Sequence, residues 1–467
     1  MDAKTTKRII RRTRMSKKFE QQIGDKGFEF LVHALTAIDR LLPHTETTPW
    51  KLTREKGGSR VWWASTKRRT LNLRGHLTLN NSTGSDYTLS AILTRKQSAG
   101  GVGKVARTID DRERDLCERV LKRLSTVLQA NNNVSSESLL AIRGTFDEQI
   151  VASHLRDRHR LQLDVEELLR SLRGLAEQSY ENKSLTFGCL LDPNAASNGR
   201  SEISFPSDFF EWKRYKALSD GYRTAYRVSK QGRVIGFHDL RIGSHQTGGT
   251  HYYPEWCEYL ANNSTKGVCG ICLTRQGDIL VFDGGTLRFT YRFGRWQYWN
   301  HTHVIDILRN RARVQRVPEK EISRVVGALY RAALDVSFSR SGGLFVLLRN
   351  RASLSKIVAK GDAIKDKHRK DIHKAFDTTL SSPSILTTHR RLVVELAGLD
   401  GAIVLNNKGA ILAYSAILRP ERRGRVSPAE GSRTKAAIGA SNYGLAIKIS
   451  SDGEMSFYAD GERYLVI

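Results

Sequence analysis

The spacing of apolar residues changes several times along the chain, and each change predicts a different kind of element. Apolar positions three and four residues apart predict an early helix over residues 28–41. Period-two runs then predict strand-like pieces at 61–63, 71–79 and 87–93. The first part of the chain is therefore predicted to mix one helix with short strands.

Two later helices carry start signals. Asp110 and Glu113 have the spacing of a capping box, and an apolar stripe at helical spacing follows them. Asp164 and Glu167 repeat this arrangement before a second stripe. The polar run 131–136 lies between the two helices and indicates a break in the chain.

Beyond the second helix the apolar period becomes two. The runs 222–228 and 234–240 flank a Gln-Gly turn and predict a β-hairpin. The stretch 268–299 contains short apolar runs separated by glycine-containing turns and predicts a meander. Together they predict a small antiparallel sheet. The arginines of this meander alternate with its aromatic residues, which indicates a core face with a basic outer face rather than a base-stacking surface.

The last third predicts a layered domain. Pro318 is well placed for the first turn of a helix, and short continuous apolar runs follow it in alternation with helical segments. Such runs are typical of buried strands in an α/β layer domain. The predicted strands cover residues 344–348, 402–405, 410–418, 445–449 and 455–458.

These patterns predict an α/β protein whose C-terminal domain is a sheet with helices packed on it, preceded by a mixed α+β region. The predicted divisions are a basic flexible arm (1–18), an N-terminal α+β region (19–135), a β-rich domain (136–302), a basic connector (303–317) and a C-terminal domain (318–467).

Charge restricts the partners without selecting one. Lys and Arg number 76 against 48 Asp and Glu, which gives a net charge of +28 over 467 residues. Such a charge attracts polyanions such as nucleic acid, nucleotides or an acidic membrane surface. The basic N-terminal region is a candidate contact for nucleic acid or a small ligand. A solvated basic surface without a dedicated partner is the alternative. No apolar run approaches the roughly 18 residues that span a bilayer, so we expect a cytoplasmic protein with no membrane span.

The five cysteines favour a reducing compartment rather than a disulfide framework. Cys269 and Cys272 form a single Cys-x-x-Cys pair in a predicted strand, where their side chains point to opposite faces. Buried strand cysteines are therefore favoured over a zinc site. The glycine-rich run 100–105 lacks the spacing of a phosphate-binding loop.

Two short motifs near the C-terminus carry the candidate chemistry. Asp400, Gly401 and Ala402 place a carboxylate beside two small residues, so that a metal ion or a phosphate can approach the backbone. An ordinary acidic loop residue before a strand is the alternative interpretation.

The second motif, at residues 431–437, follows an arginine-rich loop and precedes a predicted helix start at Ala436. Ser432, Arg433 and Lys435 would form an anion site together with the backbone donors of that helix. A capped surface helix with a basic first turn is the alternative. Cations are unfavourable at a helix N-terminus unless an anion binds there, which favours the anion site.

With these motifs in place, residues from about 318 to 467 resemble the diadenylate cyclase domain family, found in bacterial DNA-integrity scanning proteins and membrane-bound relatives. The resemblance rests on the order and spacing of an opening helix, a Ser-Arg-Ser-Gly-Gly stretch at 339–343, a leucine-and-glycine stretch at 354–361, the Asp-Gly-Ala motif and the motif at 431–437. The last corresponds to the family's Gly-Thr-Arg-His-Arg-Ala-Ala.

The resemblance implies a diadenylate cyclase, a nucleotidyltransferase that condenses two ATP into cyclic di-AMP with release of two pyrophosphates. The C-terminal domain would be a mixed sheet with helices packed on it, and two such catalytic domains would face each other in a homo-oligomer, each holding one ATP. By analogy, the mixed α+β region before it would be a regulatory region, with residues 136–302 as its sensor or regulatory domain. Asp400 would bind Mg²⁺ or Mn²⁺ and help activate the 3′-hydroxyl. Asp452 would be a further metal ligand.

The resemblance also implies the nucleotide contacts. Gly401 and Ala402 would let the nucleotide lie against the strand. The motif at 431–437 would hold the triphosphate, with Arg433 and Lys435 as catalytic cations. The nucleotide-binding positions in that motif are Gly431, Ser432, Arg433, Thr434 and Lys435.

The sequence departs from the family at three places. Thr434 replaces the histidine of Arg-His-Arg, and Lys435 replaces its second arginine with a point charge. Leu399 stands where a histidine often precedes Asp-Gly-Ala. The paired acids near the end are reduced to Asp452 or Glu454. The runner-up hypothesis is therefore a catalytically degenerate nucleotide- or nucleic-acid-binding sensor.

Overall fold

The structure is a computed structural model, and it describes residues 14–55, 63–67, 70–79, 85–95, 109–130, 136–180, 182–195, 203–211, 218–242, 251–364, 383–419 and 431–467. The chain is mixed α/β and forms two compact units. The N-terminal unit contains the described residues up to 242 together with 259–299. The C-terminal unit contains 251–258 and 300–467. Most of the predicted arm at 1–18 and the glycine-rich run at 100–105 lie outside the described residues.

The N-terminal unit contains two sheets and a group of helices. Its helices are α1 (Arg14–Leu41), α2 (Asp111–Ala130), α3 (Ser136–Arg158) and α4 (Val165–Ala176), and the chain passes through a short α5 (Glu258–Asn263). The first sheet contains β1 (Thr45–Thr47), β2 (Lys51–Glu55), β3 (Trp63–Lys67), β4 (Thr70–Leu79) and β5 (Ser85–Arg95). Its order is β1-β5-β4-β3, with β2 also paired to β5.

The second sheet has seven strands. They are β8 (Phe187–Asp192), β9 (Thr224–Ser229), β10 (Val234–Asp239), β11 (Cys269–Leu273), β12 (Ile279–Asp283), β13 (Thr286–Arg292) and β14 (Arg295–Tyr298). Two short strands, β6 (Ser179–Tyr180) and β7 (Lys183–Ser184), pair separately. The order is β10-β9-β8-β11-β12-β13-β14, and β8 pairs with β9 in parallel. The sheet is therefore mixed, and the prediction of a purely antiparallel sheet was wrong.

The predicted capped starts of α2 and α4 are confirmed. The Asp110 carboxylate accepts a 2.8 Å hydrogen bond from Glu113 N, and the Glu113 carboxylate accepts one of 2.9 Å from Asp110 N. Glu167 N donates to the Asp164 carboxylate at 2.9 Å. Both capped helices bury the apolar stripe that follows.

Some sequence interpretations need correction. Residues 303–317, interpreted as a connector, form most of a helix with a largely buried apolar side. The predicted boundary near 135 falls between α2 and α3, which belong to the same unit. Arg292 is buried and donates a 3.1 Å hydrogen bond to Asp278, so it does not belong to a basic outer face.

The C-terminal unit is a six-stranded sheet with helices. The helices are α6 (His301–Val314), α7 (Glu319–Ser339), α8 (Leu354–Ile357), α9 (Arg390–Gly398) and α10 (Ser432–Ser441). The strands are β15 (Gly343–Leu348), β16 (Ala402–Leu405), β17 (Ile411–Ala416), β18 (Gly444–Ile449), β19 (Met455–Ala459) and β20 (Glu462–Val466). The order is β17-β16-β15-β18-β19-β20, and the central strands are buried along their whole length, as their continuous apolar runs predict.

A buried ion pair fixes the segment 251–258 to this unit. Arg390 donates hydrogen bonds of 2.6 and 2.8 Å to the Asp335 carboxylate, which also accepts one of 2.8 Å from Glu255 N. Arg390 also donates to the Tyr253 carbonyl at 2.9 Å. The pair therefore connects α7, α9 and the segment before α5. Across the described residues, no helix has the length and apolar composition needed to cross a membrane.

The Glu113 carboxylate has a second partner, which yields a test of the N-terminal unit. Arg95 donates two hydrogen bonds of 2.5 Å to it, and the side chains of both residues are 2% exposed. We expect Glu113→Gln to lower the free energy of unfolding by about 3–5 kcal/mol, because Arg95 would stay buried without a countercharge. Urea denaturation followed by tryptophan fluorescence would measure the change. Asp111→Asn is the control, since its carboxylate is 92% exposed. An equal loss in both variants would contradict the assignment.

Candidate active site

The topology of the C-terminal sheet brings several chain segments to one edge. β15 pairs with β16 in parallel, so both strands start at this edge. β17 and β18 are antiparallel to these neighbours and therefore end there, and β19 begins there. The residues just before β15 and β16 and just after β17 and β18 are consequently neighbours. This edge carries the candidate acid.

The backbone around Asp400 is fixed by a close contact between strands. Gly401 has φ +108°, and a Cβ atom there would lie 2.5 Å from the Ser415 carbonyl carbon and 2.6 Å from Ala416 N. Only glycine fits this position without moving the backbone. Ser415 itself has φ 47°, and its hydroxyl donates a 2.8 Å hydrogen bond to the Asp400 carbonyl.

The Asp400 side chain itself is exposed. Within the described parts of the chain, no hydrogen bond or ion pair engages its carboxylate. Ala402 follows it as a buried strand residue paired with Ala416, next to an irregularity in the β16–β17 register. The motif therefore presents a carboxylate from a rigid strand start.

The second motif lies in the first turn of α10. The helix begins at Ser432, four residues before the predicted start at Ala436, so the prediction of the helix start was wrong by one turn. Gly431 is the N-cap residue, and its carbonyl accepts hydrogen bonds of 3.0 Å from Thr434 N and 3.1 Å from Lys435 N. The apolar pattern does not mark this start because the first turn is entirely polar.

This helix start carries only positive charge. The first turn of α10 contains no acidic residue and has no side-chain cap, while it carries Arg433 and Lys435. Ser432 is exposed, and the next three side chains are half-buried. Positive side chains there add to the positive end of the helix dipole. The arrangement is electrostatically suited to an anion.

Arg433 lies against the loop that precedes β15. Gly342 has φ +68°, and a Cβ atom on it would lie 2.5 Å from Arg433 Nη1 and 3.6 Å from the Ile449 carbonyl oxygen. The guanidinium therefore occupies the space that a side chain at residue 342 would fill. Gly342 belongs to the Ser-Arg-Ser-Gly-Gly stretch at 339–343, but the sequence pattern alone indicates no role for it.

The same loop also approaches the segment that leads to Asp400. A Cβ atom on Gly398 would lie 3.5 Å from Ser341 Cβ, and Gly398 precedes Asp400 by two residues. Ser341 also shares a 2.9 Å hydrogen bond with Ser339. The loop 339–343 thus contacts the last residue of α9 on one side and Arg433 on the other. It lies between the segment that leads to Asp400 and the first turn of α10.

The turn after β18 reaches the same edge. The hydroxyl of Ser450 hydrogen-bonds to the Asp452 carboxylate and lowers the pKa of that group. The turn is attached to α7, because Ser337 donates a 2.5 Å hydrogen bond to the Gly453 carbonyl. β18 and β16 are separated by β15, so the chain near Asp452 lies roughly 10 Å from the chain near Asp400, which is two strand spacings.

The donor set suits a hard divalent cation bound together with a substrate. Within the described ranges, no group of three or more His, Cys, Asp or Glu side chains is arranged to hold a metal ion. Mg²⁺ is commonly bound by one or two carboxylates plus substrate phosphates, and the exposed Asp400 carboxylate fits that use. The Cys-x-x-Cys pair is separate from this edge: Cys269 and Cys272 are both buried on β11 of the N-terminal unit.

Asp362 is a carboxylate at this edge that the sequence analysis missed. It accepts a 2.9 Å hydrogen bond from Ile417 N, just beyond the end of β17. The segment containing it runs along β17, since Val358 and Ala363 form bridges to Leu418 and Ala413. A single acid in a loop gives no sequence signal for this contact.

Comparisons with known proteins leave the family open. No family model and no curated protein matches the chain. Among solved structures, a hypothetical membrane spanning protein from Bacillus cereus is 19% identical, with a TM-score of 0.25, over 36% of this chain and 76% of that one. A double mutant of DacA from Staphylococcus aureus is 20% identical, with a TM-score of 0.24, over 31% of this chain and 89% of that one. Likenesses with TM-scores of this size do not bear on function.

Proposed function

We propose that the C-terminal unit is a nucleotidyltransferase that condenses two ATP into cyclic di-AMP. Each 3′-hydroxyl would attack the α-phosphorus of the other nucleotide, forming a P–O bond as pyrophosphate leaves. The observation that carries the proposal is the loop 339–343, which contacts both Arg433 and the segment leading to Asp400. It joins an exposed acid to a basic helix start at one sheet edge.

Asp400 is proposed as the acid that acts near the attacking hydroxyl. Its carboxylate would hold Mg²⁺ or Mn²⁺, which when bound would neutralise phosphate charge and favour deprotonation of the hydroxyl. Gly401 fixes the backbone next to Asp400. Its φ of +108° is favourable only for glycine, and the backbone of Ser415 packs closely against it. Ala402 would leave room for the nucleotide at the start of β16.

The first turn of α10 is proposed as the phosphate-binding element. Arg433 and Lys435 would neutralise the triphosphate, with Ser432, Thr434 and the backbone at Gly431 offering further hydrogen-bond donors. Phosphoryl transfer depends mainly on positioning and electrostatic stabilisation, so this small set of groups is sufficient. Asp452 would be a further ligand of a metal ion.

A catalytically degenerate nucleotide sensor is the second candidate. Leu399 is 48% exposed beside Asp400, at the place where family members often have a histidine, and Thr434 supplies no imidazole. Both changes remove possible metal ligands or proton carriers without removing the phosphate-binding cations. Such a protein would bind ATP and release no cyclic dinucleotide.

An activity assay separates the two candidates. We expect the purified chain with labelled ATP and Mg²⁺ or Mn²⁺ to form cyclic di-AMP, and Asp400→Asn to reduce the rate by roughly 100-fold or more because the metal-binding charge is lost. Chromatography of the products measures both. Glu395→Gln is the matched control, since Glu395 is exposed on the neighbouring α9. Absence of product with both metals would refute the cyclase and leave the sensor, whereas equal product from Asp400→Asn would refute the proposed role of Asp400.

Binding of ATP tests the basic helix start separately. We expect Arg433→Ala to weaken ATP binding by roughly tenfold or more, since a charge-assisted hydrogen bond to the triphosphate is lost. Isothermal titration calorimetry with a non-hydrolysable ATP analogue measures the affinity. Arg391→Ala removes an exposed guanidinium from α9 and serves as the control. Unchanged affinity in Arg433→Ala would remove Arg433 from the site.

The contact between Gly342 and Arg433 gives a third test. We expect Gly342→Ala to weaken binding of the same analogue, because the new methyl group would displace the guanidinium. Adding Gly342→Ala to Arg433→Ala should cause little further loss, since the two changes act through one contact. Gly409→Ala introduces a Cβ at another positive-φ glycine, at φ +84°, and controls for backbone strain. Additive losses would show that Gly342 does not act through Arg433.

A further inference from the structure

A cavity with the size of a small-ligand site lies within the N-terminal unit. It has a volume of about 370 Å³, is open to solvent on one side and is lined by α1, α3, α4 and the β13–β14 hairpin. This volume is in the lower part of the usual range of roughly 300–1,000 Å³ for small-ligand sites. The cavity is distinct from the candidate active site, which is built entirely from the C-terminal unit.

The lining of this cavity carries an excess of positive charge. Four arginines line it against two acids, Asp147 and Glu148. Arg40 donates two 2.7 Å hydrogen bonds to Asp147, and Arg173 lies 3.1 Å from Glu148, so two of the arginines are neutralised.

The other two arginines, Arg143 and Arg295, are less well neutralised by acidic side chains. Arg143 is 3.7 Å from Glu29, and Arg295 makes no ion pair with any residue that the structure describes. Burial, followed by the charge of Arg40, lowers the pKa of the adjacent His33 to about 4, so this ring is neutral at pH 7. The field inside the cavity therefore favours an anion.

The cavity also offers flat surfaces. The Arg173 guanidinium lies 5.2 Å from the centre of the Tyr291 ring, and the Trp296 ring is 5.5 Å from Tyr291. Trp296 is 1% exposed and lies beside the Glu148 carboxylate. Aromatic rings and guanidinium planes are the groups on which nucleobases stack.

A glycine in the wall leaves the backbone of α3 uncovered. Gly144 lies in the interior of this helix, and a Cβ atom on it would meet no atom within 4 Å. Glycine is less favourable than alanine at such a position, and no packing contact within the chain requires it. Gly144 is exposed and is one of the residues that line the cavity. A ligand can therefore approach the helix closely there.

We propose that this cavity binds a mononucleotide. Its phosphate group would lie between Arg143 and Arg295, and its base would lie against Tyr291 and Arg173. The proposal does not depend on cyclase activity in the C-terminal unit.

Calorimetric titration of the full chain with AMP tests the proposal. The titrations are made in an Arg433→Ala background, so that the candidate active site contributes little signal. We expect one AMP per chain, with affinity reduced roughly tenfold or more by Arg295→Gln, because one charge-assisted contact is lost. Arg275→Gln, in an exposed turn of the same sheet, should bind as the background does.

Gly144→Leu supplies a variant whose folding is not at risk. Leucine favours helix and meets open space, so its melting temperature should equal or exceed that of the background, while the side chain fills the cavity and abolishes AMP binding. Gly174→Leu, at an exposed glycine of α4 with similar open space, should leave binding unchanged.

Two further titrations define the ligand. Adenosine and inorganic phosphate should each bind at least tenfold more weakly than AMP, because each lacks half of the contacts. No heat with AMP at millimolar concentration, or binding that survives Gly144→Leu, would overturn the site. Equal binding of adenosine or of phosphate would overturn its assignment to a nucleotide.

Discussion

The arrangement of the candidate active site depends on the absence of one side chain. Gly342 leaves a space next to β15 that the Arg433 guanidinium occupies, and a Cβ atom there would lie 2.5 Å from Nη1. Gly342 also has φ +68°, which glycine adopts at little cost. The loop 339–343 leads directly into β15, which lies between β16 and β18. Arg433 is therefore positioned relative to the sheet and not only relative to its own helix.

The high positive charge of the chain is used in two different ways. In the N-terminal unit, buried arginines such as Arg95 and Arg292 each meet a buried carboxylate at hydrogen-bonding distance. Such pairs fix packing and leave no charge for a ligand. In the first turn of α10 there is no acidic residue, and the N-terminal end of the helix dipole is positive, like the side chains. A helix of that composition is stabilised when an anion binds, so the charge pattern itself distinguishes structural cations from candidate ligand-binding ones.

The sequence predicts local elements well and contacts distant in sequence poorly. The capping box of Asp110 and Glu113 is predictable because both halves of it lie within four residues. Likewise, the buried strands of the C-terminal sheet are continuous apolar runs. Helix α3 is not predicted, because its apolar residues are spread around the helix and mark no single face. β8 is missed because a short apolar run flanked by irregular chain carries no period of its own, although it lies in the interior of its sheet, between β9 and β11.

The candidate site shows the same division. The types and order of its residues can be read from the motifs, and Gly401 is predictable as the residue that permits a close backbone approach. The contact between Gly342 and Arg433 cannot be read, because it depends on the parallel pairing of β15 with β16 and the antiparallel pairing of β15 with β18. Asp362 and Ser415 are likewise positioned by pairing across β17. Tertiary pairing, not local pattern, determines which side chains surround Asp400.

Under the proposed function, the geometry of this edge also explains why two copies would be needed. At this edge, the described residues of one chain supply one basic helix start, whose two cations can bind one triphosphate. Its two candidate metal-binding acids, Asp400 and Asp452, start from chain positions roughly 10 Å apart, on either side of β15. Condensation requires two nucleotides held so that each hydroxyl is in line with the other α-phosphorus. A second edge brought face to face supplies the missing cations and places an acid of one copy opposite the phosphates of the other, so a symmetric dimer of catalytic domains satisfies both requirements at once.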